Sequence, residues 1–298
     1  MTTETANTLM IPQKSTNVRS HASTPLWLRR TFSTASHVAP GLTAAVAERL
    51  FFKTRRNGAR AGERDVLEGA TPSSIAGMKA WSWGRGPTVL LVHGWNGRAT
   101  QLGGFVQPLV ARGFRVVAFD AFGHGDSPGT SMSLPEMASF IRHIADEVGD
   151  VYGLIAHSMG GAATTIALGD GLKVERAVFI SPPADPREFL QIFSAALAIT
   201  DEVRRLLKER VERRVGVSME DMRASMIAPS MEVPLLVIHD RNDKEVPVRS
   251  GQSIAEAWPG ADLIITEGLG HQRILRDNAV TNAAVSFIDA TKHLQIAA

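Results

Sequence analysis

A serine in a tight glycine-rich turn, an acid and a histidine can together carry out acyl transfer, and this chain holds all three in the order Ser, Asp, His. Ser158 lies in Val151-Tyr-Gly-Leu-Ile-Ala-His-Ser158-Met-Gly-Gly161, where a short apolar run stops and a small-residue helical pattern begins. A strand that turns sharply into a helix would lift the serine hydroxyl above the sheet edge. It would also aim the free N–H groups of the helix start at the reaction centre. Small residues beside the serine suit a strained turn packed closely on its neighbours. The run departs from G-x-S-x-G at one place, since Ala156 stands where the first glycine is usual.

Serine attacks at neutral pH only if a base takes its proton, and the base in turn needs an orienting acid. His271, in Gly268-Leu-Gly-His271-Gln-Arg, follows the last strand pattern. Asp243, in His239-Asp-Arg-Asn-Asp243-Lys-Glu-Val-Pro247, follows the strand before it. Asp240 and Glu245 compete for the acid role; Asp243 is placed ahead because Asp240 adjoins the strand and is better situated to support the turn. Backbone donors for a developing oxyanion are expected from the amides of Trp95 and Met159. The first lies in Val92-His93-Gly94-Trp95-Asn96-Gly97, where glycines let backbone approach a substrate oxygen. His93, Gly94 and His157 are read as residues beside bound substrate, although a histidine next to a glycine turn usually hydrogen-bonds backbone. His124 adjoins such a turn as well, and His239 reads as a packed core histidine. No H-E-x-x-H pair, GxxxxGK[ST] loop or properly placed GxGxxG occurs, so no metal or cofactor is implied.

These residues need a sheet to hold them. From residue 87 onward the chain alternates apolar strand runs with helical patterns: strands at 88–92, 115–120, from 151 to a stop at 156, 176–180, 234–239 and 262–266, and helices near 101–112, 134–148 and 161–168. Strands apolar on both faces, separated by helices, predict an α/β fold with a doubly wound, mostly parallel sheet. Ser133 with Glu136 three residues on has the spacing of a capping box. The alternation breaks between residues 183 and 232, which read as helices at 185–197 and 201–215 and a short one after Ser218. Val203, Leu206, Leu207 and Val211 make one stripe of the second helix; Arg204, Arg205, Lys208, Glu209 and Glu212 make a solvated face. An insertion directly after a strand would lie over the edge where open α/β sheets bind ligand, so 183–232 is read as a helical cap. Its Phe189, Ile192, Phe193, Leu197 and methionines suggest an apolar pocket. The core then comprises 71–182 and 233–298, with 1–70 as an N-terminal arm. Within the arm, 1–24 is polar and without period, 42–52 reads as a docking helix with Leu42, Ala45, Val46 and Leu50 as its inward stripe, and 53–62 as loop. Two edge strands are expected, near 65–67 and 77–83.

Composition narrows the partners. The 298 residues are 44% hydrophobic and 21% charged with a net charge of +2, and basic residues form no block, so nucleic acid is not implied. No apolar run is long enough for a membrane span. The sequence contains no cysteine, which removes disulfides and thiolate chemistry. Between Met1 and Val46 the single acid is Glu4, against Lys14, Arg19, Arg29 and Arg30. That composition fits a flexible arm on a cytoplasmic protein, with an organellar targeting segment as the alternative. Oligomeric state is left open.

Taken together, His93-Gly94-Trp95, the run from Asp120 to Ser127, the turn at Ser158, Asp243 with Val246-Pro247, and Gly270-His271 resemble the α/β-hydrolase superfamily over roughly residues 75–292. The resemblance implies Ser158 as nucleophile, His271 as base and Asp243 as acid. It implies a hydrolase acting on a small-molecule carboxylic ester through an acyl-enzyme. Thioesterases, lactonases, C–C bond hydrolases and acyltransferases use the same three residues, and a catalytically silent binding protein could keep the fold. Epoxide hydrolases and haloalkane dehalogenases place aspartate at the turn, whereas this chain has serine.

Overall fold

A computed structural model describes residues 8–11 and 24–290 of the chain. Among the described residues nine strands form one sheet: β1 (Thr8–Ile11), β2 (Thr71–Ile75), β3 (Met78–Trp83), β4 (Thr88–Val92), β5 (Arg115–Phe119), β6 (Val151–His157), β7 (Arg176–Ile180), β8 (Leu235–Asp240) and β9 (Asp262–Thr266). Their order is β1-β9-β8-β7-β6-β4-β5-β3-β2, parallel throughout except for β2 and β3 at one edge. The order doubles back at β4, because β5 lies on one side of it and β6 on the other. At such a reversal the loops leaving the two strands diverge and open a crevice at their C-terminal ends.

The described residues also form the α-helices α1 (Leu26–Val38), α2 (Pro40–Phe51), α3 (Val106–Ala111), α4 (Leu134–Val148), α5 (Met159–Gly169), α6 (Pro186–Leu197), α7 (Asp201–Val215), α8 (Ala224–Ile227), α9 (Val248–Ala257), α10 (Gly270–Arg273) and α11 (Asn278–Asp289). Side chains alternate across a strand, so the sheet divides the interior into two cores. Leu90 and Val92 of β4 pack with α4, α5 and α9 on one face. Val89 and Leu91 pack with α3 and α11 on the other. Every position of β4 is buried, and burial on both faces explains why it is apolar from Val89 to Val92. The capping box forms: Ser133 Oγ accepts from the Glu136 amide (3.3 Å) while Glu136 Oε2 accepts from the Ser133 amide (2.6 Å).

The helical segment read from sequence as a cap runs from the C-terminal end of β7 to the start of β8. Asp185 caps α6, accepting from the Arg187 amide at 2.9 Å, and Gly216 ends α7 in the left-handed region at φ 76°. Val203, Leu207 and Val211 are buried, and the opposite face carries Arg205–Glu209 and Lys208–Glu212 pairs along the helix. The segment after Ser218 is a turn, with Ser218 Oγ accepting from the Asp221 amide (3.1 Å), and the helix itself begins at Ala224.

The N-terminal region departs most from expectation. Residues 8–11 are not unstructured but pair in parallel with β9 at the sheet's far edge; 1–7, 12–23 and 291–298 lie outside the described residues. The docking helix is α2, yet Leu42 and Val46 of its expected inward stripe are exposed. The buried residues are Thr43, Ala44 and Ala47, whose small side chains let α2 approach α7 closely. Glu48 accepts from Arg210 Nε at 2.6 Å, and the Arg214 guanidinium lies 4.3 Å from the centre of the Phe52 ring. Residues Asp65–Leu67 form a 3-10 turn rather than a strand. The edge strand comes later, at β2, whose Thr-Pro-Ser-Ser run is exposed and lacks apolar alternation. Among the described residues, no helix is long and apolar enough to cross a membrane.

Candidate active site

The turn after β6 has the geometry its sequence predicts. Ser158 takes φ 53° and ψ −126° and stands at the N-cap of α5, with its amide donating to Ile180 O at 2.8 Å. A positive φ in a non-glycine residue is a strained conformation that the surroundings must impose. They impose it from both sides. A Cβ at Gly160 would lie 2.6 Å from His93 O, so α5 can sit this close to β4 only with glycine there. Ala156 occupies the first elbow position inside the sheet, fully buried between Val92 and Phe179, and its methyl group fits.

Ser158, His271 and Asp243 come together across three separate loops. His271 Nε2 is 2.9 Å from Ser158 Oγ, and His271 Nδ1 is 2.7 Å from Asp243 Oδ2. The carboxylate is acceptor-only, so Nδ1 carries a proton and Nε2 of the neutral ring is free to accept from the serine hydroxyl. Of the three acids considered, Asp243 is the one that meets Nδ1. Its other oxygen accepts from the Glu245 and Val246 amides at 2.8 and 2.9 Å, which fixes the carboxylate plane. Burial pushes the Asp243 carboxyl up, but hydrogen bonds from His239 and His271, the attraction of His271 and the Val246 amide outweigh it and hold the group well below the usual carboxylate range. Asp240 is buried and spent on the loop, accepting from Thr266 Oγ1 (2.8 Å) and the Asn242 and Leu269 amides (3.0 Å each). Glu245 Oε2 lies 3.9 Å from His271 Nε2, on the serine side of the ring.

The expected oxyanion donors flank the serine. Met159 is the first residue of α5, and Trp95 follows Gly94, where an added Cβ would stand 2.9 Å from Ser158 Cβ. Among the described residues, neither the Trp95 nor the Met159 amide has a hydrogen-bond partner, which leaves both available to a bound oxygen.

The three residues read as substrate neighbours divide. Gly94 and His157 line the cleft that contains Ser158. His93 does not: it is buried, its Nε2 accepts from the Ala121 amide at 2.9 Å, and its Nδ1 donates to Gly94 O at 2.7 Å. That tautomer is neutral, and burial pushes the imidazole down to about 4. His93 is therefore a brace beneath the Gly94–Trp95 turn. His157 is also buried and donates from Nε2 to His271 O at 3.0 Å; burial, with His271 beside it, holds its ring well below the ordinary histidine value. His124 lies under Trp95 with ring centres 5.3 Å apart, and burial pushes it down to about 4 as well. Asp120 anchors the same region, accepting from the Ala99 and Asp126 amides at 2.7 Å each.

Two cavities meet at this site. One, of about 640 Å³, is polar and open; it holds Ser158, His271, Gln272 and Glu245 together with Arg55, Asn57, Arg60 and Glu63. The other, of about 270 Å³, is apolar and includes Met159, Met132, Phe189, Ile192, Phe193, Phe51 and Phe52. Trp95 and Phe189 belong to both. Leu197, grouped with the pocket residues on sequence, is instead buried in the core. The contribution of residues 51–63 was not expected from sequence. The aromatic pair Phe51-Phe52 directly before a basic, glycine-containing stretch is the one local signal that marks it. The stretch is fixed to the Trp95 turn: the Arg55 amide donates to Asn96 Oδ1 at 2.7 Å, and the buried Arg98 side chain bonds Asn57 O.

Residues 89–284 match the model of the alpha/beta hydrolase family. Among curated proteins, the chain is 24% identical over 228 residues to a pyrethroid hydrolase of Sphingobium wenxiniae, covering 61% of this chain and 80% of that one. It is 27% identical over 245 residues to the pimeloyl-[acyl-carrier protein] methyl ester esterase of Nitrosomonas europaea, covering 67% and 95%. Among solved structures, a monoacylglycerol lipase of Paleococcus ferrophilus superposes with a TM-score of 0.57 at 24% identity, covering 72% of this chain and 98% of that one.

Proposed function

The chain belongs to the alpha/beta hydrolase family, and from that membership we propose that it is a carboxylic ester hydrolase that works through an acyl-enzyme on Ser158. The observation that carries the reading is the continuous path from Asp243 through His271 to Ser158 Oγ, with contacts of 2.7 and 2.9 Å. In the first half-reaction His271 Nε2 takes the hydroxyl proton as Ser158 Oγ bonds to the ester carbonyl carbon. The oxyanion is held by the Trp95 and Met159 amides, each worth about 3–4 kcal/mol in comparable sites. The ester C–O bond then breaks and His271 returns the proton to the departing alcohol. Water repeats the sequence, releasing the acid and restoring Ser158. Asp243 stays ionised throughout, holding the imidazole tautomer and stabilising the imidazolium.

Residues 183–232 act as a cap, their helices α6 and α7 covering the apolar cavity. The substrate is a small to medium ester, in keeping with the methyl ester esterase among the relatives. The site opens to solvent through its polar cleft, which favours water as acyl acceptor over a second alcohol or thiol. Asp243→Asn leaves the packing in place but reverses the hydrogen bond that sets the ring tautomer. It is expected to lower kcat on a para-nitrophenyl ester by about ten-thousandfold, and His271→Ala by at least as much. An Asp243→Asn variant that turns over like the wild type contradicts the assignment.

A further inference from the structure

The apolar cavity is enclosed by three parts of the chain: Met159 and Trp95 from the core, Phe189 and Phe193 from the insertion, and Phe51 and Phe52 from the end of α2. The last pair lies outside residues 89–284 and so outside the shared family pattern. It is nevertheless rigidly placed. The Met132 amide donates to Phe52 O (2.9 Å) and the Thr54 amide to Thr130 O (3.0 Å), which ties the end of α2 to the core loop before α4. Phe52 is buried beneath Arg214, whereas Phe51 is half-buried and meets Phe193 edge-to-face with ring centres 5.2 Å apart. Phe51 thus joins the N-terminal region to the insertion across the cavity wall.

Which half of an ester enters this cavity follows from the proton path, given the serine-hydrolase reading above, on which this inference rests. His271 must protonate the leaving alcohol, so the alcohol departs on the side where His271 is exposed to substrate. His271, Gln272 and Glu245 line the polar cleft and not the apolar cavity. The acyl group then extends the opposite way, past Trp95 and Phe189, into the apolar cavity. We infer that the C-terminal end of α2 supplies a permanent wall of the acyl site, and that Phe51 determines the length of linear, apolar acyl chain accepted. With a volume of about 270 Å³, the site takes a medium acyl chain esterified to a polar alcohol.

The test is an acyl-length profile: kcat/KM for para-nitrophenyl esters from acetyl to palmitoyl, measured on the full chain and on Phe51→Ala, Phe51→Leu and Phe51→Trp. The wild type is expected to peak at intermediate length. Phe51→Ala and, less strongly, Phe51→Leu shift the peak to longer chains, raising the long-to-medium ratio of kcat/KM about tenfold or more, the discrimination expected when space for a methylene is gained. Phe51→Trp shifts the peak to shorter chains. Opposite shifts from enlarging and shrinking one side chain are not produced by damage to the fold. A parallel series of acetate esters with alcohols of increasing length should keep its profile in all variants. Equal loss at every acyl length, an unmoved peak, or displacement of the alcohol profile instead overturns the inference while active-site labelling at Ser158 persists. A chain silent on every ester and unlabelled at Ser158 overturns the hydrolase reading and this inference together.

Discussion

Gly94 is where the account of the site can be strained by a single methyl group. A Cβ built on Gly94 would lie 2.9 Å from Ser158 Cβ and 3.3 Å from both His157 Nδ1 and His157 O. Ordinary carbon–carbon contacts fall at about 3.5–4.0 Å, so Gly94→Ala requires the serine and the Gly94–Trp95 turn to separate by about 0.6–1 Å. Ser158 cannot yield easily, because its amide is held by Ile180 O at 2.8 Å and its φ is already 53°. Whichever side moves, the hydroxyl loses register with either His271 Nε2 or the Trp95 amide. A misplacement of about 1 Å costs roughly a hundredfold in rate, equivalent to about 2.7 kcal/mol of transition-state stabilisation. The overpacking itself should cost about 1–3 kcal/mol of stability. The assay is kcat/KM on a reactive ester beside urea unfolding of the same protein. Gly41→Ala serves as control, since Gly41 lies in α2 with nothing within 4 Å of its built Cβ; alanine there should stabilise by up to about 1 kcal/mol. Wild-type kcat/KM in a folded Gly94→Ala variant would refute the close approach on which the oxyanion geometry depends.

Acid should weaken the fold before the carboxylates titrate. His93 and His124 are buried and pushed down from 6.5 to about 4 in the folded protein. Between those values the unfolded chain binds more protons than the native one, so stability is intact above pH 6.5 and lost as pH falls towards 4. Each histidine contributes about 3 kcal/mol to that loss at 1.36 kcal/mol per pH unit, and His157 adds to it in the same direction. Asp120, raised by burial, opposes the trend at the acid end of the window. Thermal melts from pH 7 to pH 4 check this, and a Tm flat across the window contradicts it. Asp240→Ala strands three donors, the Asn242 and Leu269 amides and the Thr266 hydroxyl, at about 1–3 kcal/mol each when buried. Its unfolding midpoint in urea should fall accordingly, and an unchanged midpoint would mean that the loop does not depend on that carboxylate.

Much of the candidate site was legible in the sequence, because Ser158, Asp243 and His271, which the structure brings together, each lie just past a strand. A tight strand-to-helix turn needs small neighbours, and central parallel strands need apolar runs bounded by turns and helical patterns, so β4 to β9 are readable from the local order of residues. Asp240 and Asp243 are separable because Asp240 lies at the strand end and Asp243 in the loop beyond it. What stayed hidden depends on contacts distant in sequence. The pairing of residues 8–11 with β9 joins opposite ends of the chain and leaves no local periodicity. The face that α2 buries is set by the approach of α7, which selects Thr43, Ala44 and Ala47 over the more apolar Leu42 and Val46. His93 looked like a substrate contact because it adjoins the Gly94 turn, and only the direction of its ring shows that both nitrogens serve the backbone. The role of Phe51 and Phe52 needs the insertion and the N-terminal helices to meet, which no single segment announces.

Labelling with a fluorophosphonate, followed by intact mass and peptide mapping, tests the central claim that Ser158 is an armed nucleophile. One adduct per chain is expected, mapped to Ser158, absent from Ser158→Ala and strongly slowed in His271→Ala. Folded protein that takes no adduct from this probe or from a smaller acylating one, or that carries it on another residue, would contradict the account.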